Sequence, residues 1–326
     1  MEDDSVEKAS THRQPGGHCP KKAAFRATRL TPTVFLVNEH SDIYDERPFI
    51  YVKTISSANA LLILDTGCGG ATDKPDIKVT SLREFLETCD VEDNEGKPLN
   101  VGGKMQYVVV LSHCHYDHIL GVEDFALDSP ILASQHSPSF VSPDHLPEHS
   151  LCHALHIKTP KYTATLVPHL HTIQADYSTP TPNYSTSLGV VVHHTPGHTP
   201  DELTLWDESE RMLYVGDTVY EWEHIIFPKE GSIVQWLQSM DALIELVGTS
   251  EARICCGHVT AGRPAKDVLT AAKAFMMDVL SEKENVRSRF EKRGEVSVEY
   301  VQAGSRFSLI CPERLVVVAR QKVLAA

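Results

Sequence analysis

Apolar runs of three to five residues, each closed by turn-forming or polar residues, recur along most of this chain. Runs at 33–37, 49–52, 61–64, 107–111, 190–192, 212–215 and 252–256 have this form. Their length and their borders of Gly, Pro, Asp, Asn or Ser predict buried strands. Helical spacing appears between them. Residues 80–90 pair an N-cap signal at Thr80 and Ser81 with Leu82, Phe85 and Leu86 on one face, and Val268, Leu269, Ala272, Phe275, Met276 and Leu280 predict a long amphipathic helix over 265–286. A helix is also expected to include 121–127, while the late runs 307–310 and 315–318 fit either strand or helix. Residues 1–28, polar and poor in large apolar side chains, read as a flexible tail, which leaves 29–326 as one domain. Residues 134–188 are dense in Pro, His, Thr and Ser. They read as a solvent-facing loop with incidental histidines, or as a cover over a site.

Five of the predicted strands run into a polar residue beside Gly, Thr or Pro. They lead to Asp65-Thr66-Gly67, to His113-Cys114-His115-Tyr116-Asp117-His118, to Pro196-Gly197-His198, to Gly216-Asp217-Thr218 and to Gly257-His258. Small residues next to a strand end let the backbone bend closely, so a rigid sheet can assemble one site from distant parts of the chain. In the second of these motifs, imidazoles two apart on an extended segment point to the same side, so His113 and His115 can grip one cation. Once the chain turns, Asp117 and His118 can face a second. Mixed nitrogen and carboxylate donors suit zinc, with iron or manganese as alternatives, and paired cations serve hydrolysis.

Taken together and in this order, the five motifs resemble the metallo-β-lactamase fold superfamily, over residues 65–258. The resemblance implies an α/β fold of four layers, an αβ/βα sandwich, and two zinc ions per chain. It implies that His113, His115 and His198 hold one ion, that Asp117, His118 and His258 hold the other, and that Asp217 bridges them. Asp65 would accept a hydrogen bond from a ligand histidine and fix its orientation. Cys114 is expected to pack away from the ligands. Asp117 and Tyr220 are the residues expected at the reacting atoms. Tyr220 stands three places after Asp217, where some lactone-opening relatives carry a tyrosine that donates to the oxyanion; a packing role competes with this, and His224 is a second polar candidate.

A metal-bound hydroxide, available near pH 7 because the cations lower the pKa of water, would attack an acyl carbon. The expected reaction is opening of a small cyclic amide or ester, a lactam or lactone such as a benzoxazolinone. Thioester hydrolysis, as in glyoxalase II or polyketide-releasing thioesterases, uses the same nucleophile, and a non-catalytic metal-binding scaffold is the third reading.

Composition narrows the partners. A net charge of −14 over 326 residues, without clusters of Lys and Arg, argues against nucleic acid and for a small-molecule substrate. No apolar stretch reaches 18 residues, so no membrane span is expected, and the start Met1-Glu2-Asp3-Asp4 lacks the layout of a signal peptide. A cytoplasmic protein with reduced thiols is the expectation for its 8 Cys, which show no regular spacing. The oligomeric state is left open.

Overall fold

The runs at 61–64 and 107–111 lie side by side as parallel strands, Ala60–Leu64 and Gln106–Val110, with Leu64 opposite Val110. Both are apolar throughout because both faces are covered, as parallel strands require. Around them, in a computed structural model that describes residues 22–177, 186–249 and 251–324, a seven-stranded sheet forms. Its order is Phe25–Arg29, Val34–Glu39, Phe49–Ile55, Ala60–Leu64, Gln106–Val110, Ile131–Ser134 and Thr165–Val167.

A six-stranded sheet faces the first, in the order Thr172–Gln174, Ser187–His194, Leu203–Asp207, Met212–Tyr214, Arg253–Cys255 and Ala261–Pro264. Alternate side chains fill the space between the sheets: Val34, Leu62, Leu64, Val108 and Val110 from one meet Val190, Val192, Leu205, Met212 and Tyr214 from the other. The opposite faces pack outward. Leu61, Ile63, Tyr107 and Val109 meet Leu82, Phe85 and Leu86 of helix Leu82–Thr88, while Leu213 and Ile254 meet helices Ile233–Val247, Ala265–Leu280 and Glu313–Val323. This is the four-layer αβ/βα order expected.

Local chemistry sets the helix starts. Ser81 Oγ accepts from the Glu84 amide at 3.1 Å and Ser232 Oγ from Gln235 at 3.3 Å, each satisfying one of the free N–H groups of a first turn. Trp236, fully buried, donates from Nε1 to the Thr218 carbonyl at 2.6 Å, and Ser232 N donates to the Gly197 carbonyl at 2.8 Å. Helix Ile233–Val247 is thereby tied to two of the five motif loops.

Several expectations change. Strands Lys22–Ala23 and Phe25–Arg29 are part of the fold, so the tail expected over 1–28 is shorter at its C-terminal side; residues 1–21 lie outside the described residues. The helix expected through 121–127 is a single 3-10 turn, Val122–Asp124, because the helical segment is the earlier Tyr116–Ile119, held inside the site. The long helix stops at Leu280, and residues 288–312 form strands Ser288–Lys292, Glu295–Val301 and Ser308–Pro312. These join His224–Ile226 in a separate four-stranded sheet. No helix among the described residues is long and apolar enough to cross a membrane.

Buried Glu39, at the end of strand Val34–Glu39, accepts from the Gly70 amide at 3.2 Å, and its Oε2 has no partner. Burial pushes its pKa up to about 8, from an ordinary value of 4.5. A raised carboxyl favours the fold while protonated, so its contribution is complete below about pH 4.5 and is lost as pH rises toward 8. Glu39→Gln should therefore gain thermal stability relative to wild type between pH 5 and 8.5, on the order of a few kcal/mol. A constant difference in melting temperature across that range would show that Glu39 stays ionised in the fold.

Candidate metal centre

Strand register decides where the motif residues meet. Leu64 pairs with Val110, so Asp65 leaves the sheet beside Ser112: the Ser112 amide donates to Asp65 Oδ1 at 2.7 Å and its hydroxyl to Oδ2 at 2.8 Å. In the second sheet Tyr214 pairs in parallel with Cys255, and Asp217 and His258 each follow three residues later, at the same edge. His198 arrives from the loop between Ser187–His194 and Leu203–Asp207.

At that edge two donor groups form. His113 Nε2 and His198 Nε2 each lie 3.0 Å from His115 Nδ1. Beside them Asp117 Oδ2 is 3.4 Å from His118 Nε2 and 3.2 Å from His258 Nε2, and Asp217 Oδ1 is 3.4 Å and 3.6 Å from the same two nitrogens. The other oxygen of Asp217, Oδ2, is 3.9 Å from His198 Nε2, so this carboxylate spans both groups. All seven side chains are buried.

The far nitrogen of four rings is held from behind. His118 Nδ1 meets Asp65 Oδ2 at 2.9 Å, His198 Nδ1 the Ile226 carbonyl at 2.6 Å, His258 Nδ1 the Glu46 carbonyl at 2.9 Å, and His113 Nδ1 the Ser112 hydroxyl at 3.0 Å. Carboxylate and carbonyl partners place the proton on Nδ1 and aim the Nε2 lone pair inward, the arrangement a metal ligand needs. His118 Nε2 and Asp217 Oδ1, buried at the centre, have no hydrogen-bond partner, as expected of atoms whose partner is a cation. The two groups fit a dinuclear metal site.

Charge follows the same division. Burial lowers His113 and His198 and takes His115 down to about 3, which keeps that group neutral. Burial also opposes charge on His118 and His258, but Asp117 and Asp217 outweigh it: His118 is raised and His258 reaches about 9. Both aspartates are correspondingly held below the usual carboxylate range, against burial, by these histidines.

The centre opens on a cavity of 920 Å³, lined by His115, Asp117, His198, Asp217 and His258. Tyr220 is on its wall with its ring edge-on to His258, centroids 5.7 Å apart, and burial followed by Asp217 pushes its hydroxyl up, keeping it protonated. His224 is on the wall too, its Nε2 4.0 Å from Glu299. Cys114 points away and packs beside Asp201. From the 134–188 stretch, Glu148, Leu151, Ala154 and Leu155 line the cavity, so this segment does wall the site, although its histidines at 136, 145, 149, 153, 156, 169 and 171 do not.

Comparison with known proteins agrees with this geometry. The family model of the metallo-beta-lactamase superfamily matches residues 50–171 and 182–258. The chain belongs to that superfamily. A relative from Aspergillus versicolor, described as the putative transcription factor avaE, is 33% identical over 311 residues, covering 91% of this chain and 89% of its own. Among solved structures, a metallo-beta-lactamase family protein of Thermus thermophilus has a TM-score of 0.55 at 16% identity, over 78% of this chain and 82% of its own. The metallo-beta-lactamase FIM-1 of Pseudomonas aeruginosa, in a mono-zinc form, has a TM-score of 0.51 at 15% identity, over 79% and 98%.

Sequence reasoning missed Glu202. It is fully buried, accepts from the Asp217 amide at 3.0 Å and places Oε2 3.7 Å from His113 Nδ1; burial raises its pKa well above the ordinary value. Its signal was present, an acidic residue at the very start of an apolar strand four places after His198. The carbonyls of Ile226 and Glu46 carried no signal, since any residue supplies one.

Gly257 is what lets Asp217 and His118 close on each other. A Cβ there would run into Asp217 Oδ1 and come within 2.9 Å of His118 Cε1. Elemental analysis should find close to two metal ions per chain in wild type, and Gly257→Ala should weaken retention against a graded chelator by about 10- to 100-fold, the range for disturbed ligand support. Equal retention, in a variant that melts like wild type, would remove Gly257 from the assembly of the centre.

Proposed function

We propose that this protein is a dinuclear zinc hydrolase that opens a cyclic amide or ester, a lactam or lactone. The observation that carries the hydrolase reading is that both donor groups face one cavity, with Asp217 spanning them and Tyr220 beside them. Five imidazoles and two carboxylates make a donor set suited to zinc, and the mono-zinc form of the similar FIM-1 structure supports that choice. Bound there, two dications would supply an ionised water at neutral pH and an electrophile for the acyl oxygen.

The remaining roles fall to the chain itself. Asp117 and Asp217 offset part of the positive charge at the reacting atoms. Ser112, Asp65 and the Ile226 and Glu46 carbonyls hold the rings in place. The Tyr220 hydroxyl donates a hydrogen bond toward the oxyanion, and Leu151, Leu155, Phe227 and Val259 exclude water from the substrate body. A nucleic-acid role, suggested by the name of the Aspergillus relative, is disfavoured by the net charge of −14. Seven buried free thiols among the described residues favour a cytoplasmic setting.

Removing one oxyanion donor typically costs on the order of 100- to 1,000-fold in turnover. Tyr220→Phe deletes only the hydroxyl, and kcat should fall by that order with the fold and metal content intact. Turnover within about threefold of wild type, well under 1 kcal/mol, would reassign Tyr220 to packing.

A second reading is favoured by one observation: the cavity, at 920 Å³, is near the upper end of ordinary ligand sites and exceeds what a bare bicyclic lactam fills. A thioester of a larger acyl group would use that space. A panel of lactones, lactams and acyl thioesters separates the two, with kcat/KM expected to be higher for the ring substrates. Strong thioester turnover without ring opening would make the protein a thioesterase and leave the metal centre as described.

A further inference from the structure

The wall of the cavity that comes last in sequence carries two charges with no counter-ion. Strands Ser288–Lys292 and Glu295–Val301 are antiparallel, with Lys292 opposite Glu295, and are joined by Arg293 and Gly294. Both joining residues are left-handed, φ +50° and +76°, which makes a tight two-residue turn. Glycine suits the second place. Arginine at the first does not, because side chains other than Asn and Asp rarely adopt that conformation. The strained turn sets Lys292 and Arg293 on the cavity wall.

The other lysine and arginine on that wall are matched, whereas its carboxylates Glu46 and Glu223 have no ion-pair partner among the described residues. Arg47 pairs with Asp45 at 2.6 Å, Lys229 with Glu148 at 3.0 Å, and Glu295 with Arg314 at 2.9 Å. Among the described residues no carboxylate lies within ion-pair distance of Lys292 or Arg293. Lys292 and Arg293 are exposed to solvent, yet desolvation by neighbouring groups and then Arg293 lower the affinity of Lys292 for its proton, while Glu46, whose carbonyl holds His258, opposes them. Two adjacent cations repel each other, and a chain of net charge −14 repels anions at long range, so an anionic ligand gains from a local counter-charge. A planar carboxylate matches the arginine fork. A phosphate, more highly charged, would be repelled more strongly by Glu46, Glu223 and Glu230 on the same wall.

We infer that Lys292 and Arg293 anchor a carboxylate that the substrate carries away from its scissile acyl group. The assignment rests on the hydrolase reading for the word substrate and deepens it: the preferred compounds are acyl derivatives with a second, free carboxylate. The test variant is K292Q/R293N, chosen because asparagine favours the left-handed turn, so its melting temperature should equal or exceed that of wild type. Zinc-loaded wild type and variant are titrated by calorimetry with the dicarboxylates glutarate to suberate and with their monomethyl esters, and are assayed on the 4-nitrophenyl monoester of the tightest diacid and on its methyl-capped form.

Wild type should favour at least one diacid over its monomethyl ester by about five- to tenfold, the level two partly screened contacts supply, and the variant should lose that preference. The 4-nitrophenyl pair should show the same loss, chiefly in KM. No diacid preference in wild type, or an equal preference in the variant, overturns the anchor. Diacid preference in a protein that hydrolyses neither ester would keep the anchor and sink the hydrolase reading. Ester hydrolysis with no diacid preference would do the reverse.

Discussion

Charge buried at one edge of the sandwich is the constraint on which the structure depends. Asp65, Asp117, Asp217 and Glu202 share a water-poor cluster with His113, His115, His118, His198 and His258. Isolated buried charges of this kind cost several kcal/mol each unless paired or neutralised. The chain meets this in two ways. One half of the cluster is kept uncharged by burial; in the other, His118 and His258 are drawn toward protonation by the aspartates between them. A dication held by the second half would take over the role of those protons, and its uptake would then be coupled to proton release.

Holding such a cluster demands rigid backbone, and the two parallel strand pairs supply it. Ala60–Leu64 beside Gln106–Val110, and Met212–Tyr214 beside Arg253–Cys255, each fix the register of two motif loops, while Trp236 and Ser232 fasten the Gly197 and Thr218 loops to one helix. Left-handed backbone also occurs next to the ligands. Asp65 and Val259 are both left-handed, φ +64° and +53°, and for a β-branched residue such as Val259 this conformation is rare. Strain of about 1–3 kcal/mol at such positions persists only when the surroundings over-determine it.

The metal-donor residues and part of the cavity wall come from different parts of the chain. The donors come from loops on the two large sheets, whereas part of the cavity wall comes from Leu151, Ala154 and Leu155 of the middle stretch and from the small sheet of Ser288–Lys292, Glu295–Val301 and Ser308–Pro312. Arg306 ties the loop of that small sheet to buried Glu221, at 2.9 Å, and so to the Asp217 side of the site. The wall can therefore vary in charge and shape while the donor set stays as it is.

The sequence by itself determined the donor types and the strands that present them, because short apolar runs ending in His or Asp beside Gly express a local rule: a buried strand followed by a tight bend. The four-layer order came only through the family resemblance that those motifs carry. Legibility stopped where contacts are long-range or carried by backbone. Glu202 stood out as an acid at the head of an apolar strand, but its partner Asp217, fifteen places on, was not legible. Nothing local distinguished the Ile226 and Glu46 carbonyls as partners of His198 and His258, or the run at 307–310 as a strand. That run becomes one only by pairing with Glu295–Val301 and His224–Ile226. The helix expected through 121–127 failed for the same reason, since the turn that matters, Tyr116–Ile119, is fixed by packing inside the site. Tertiary structure alone decided which face of the cavity carries uncompensated cations, because whether a lysine or arginine finds a counter-ion depends on neighbours that are often distant in the chain.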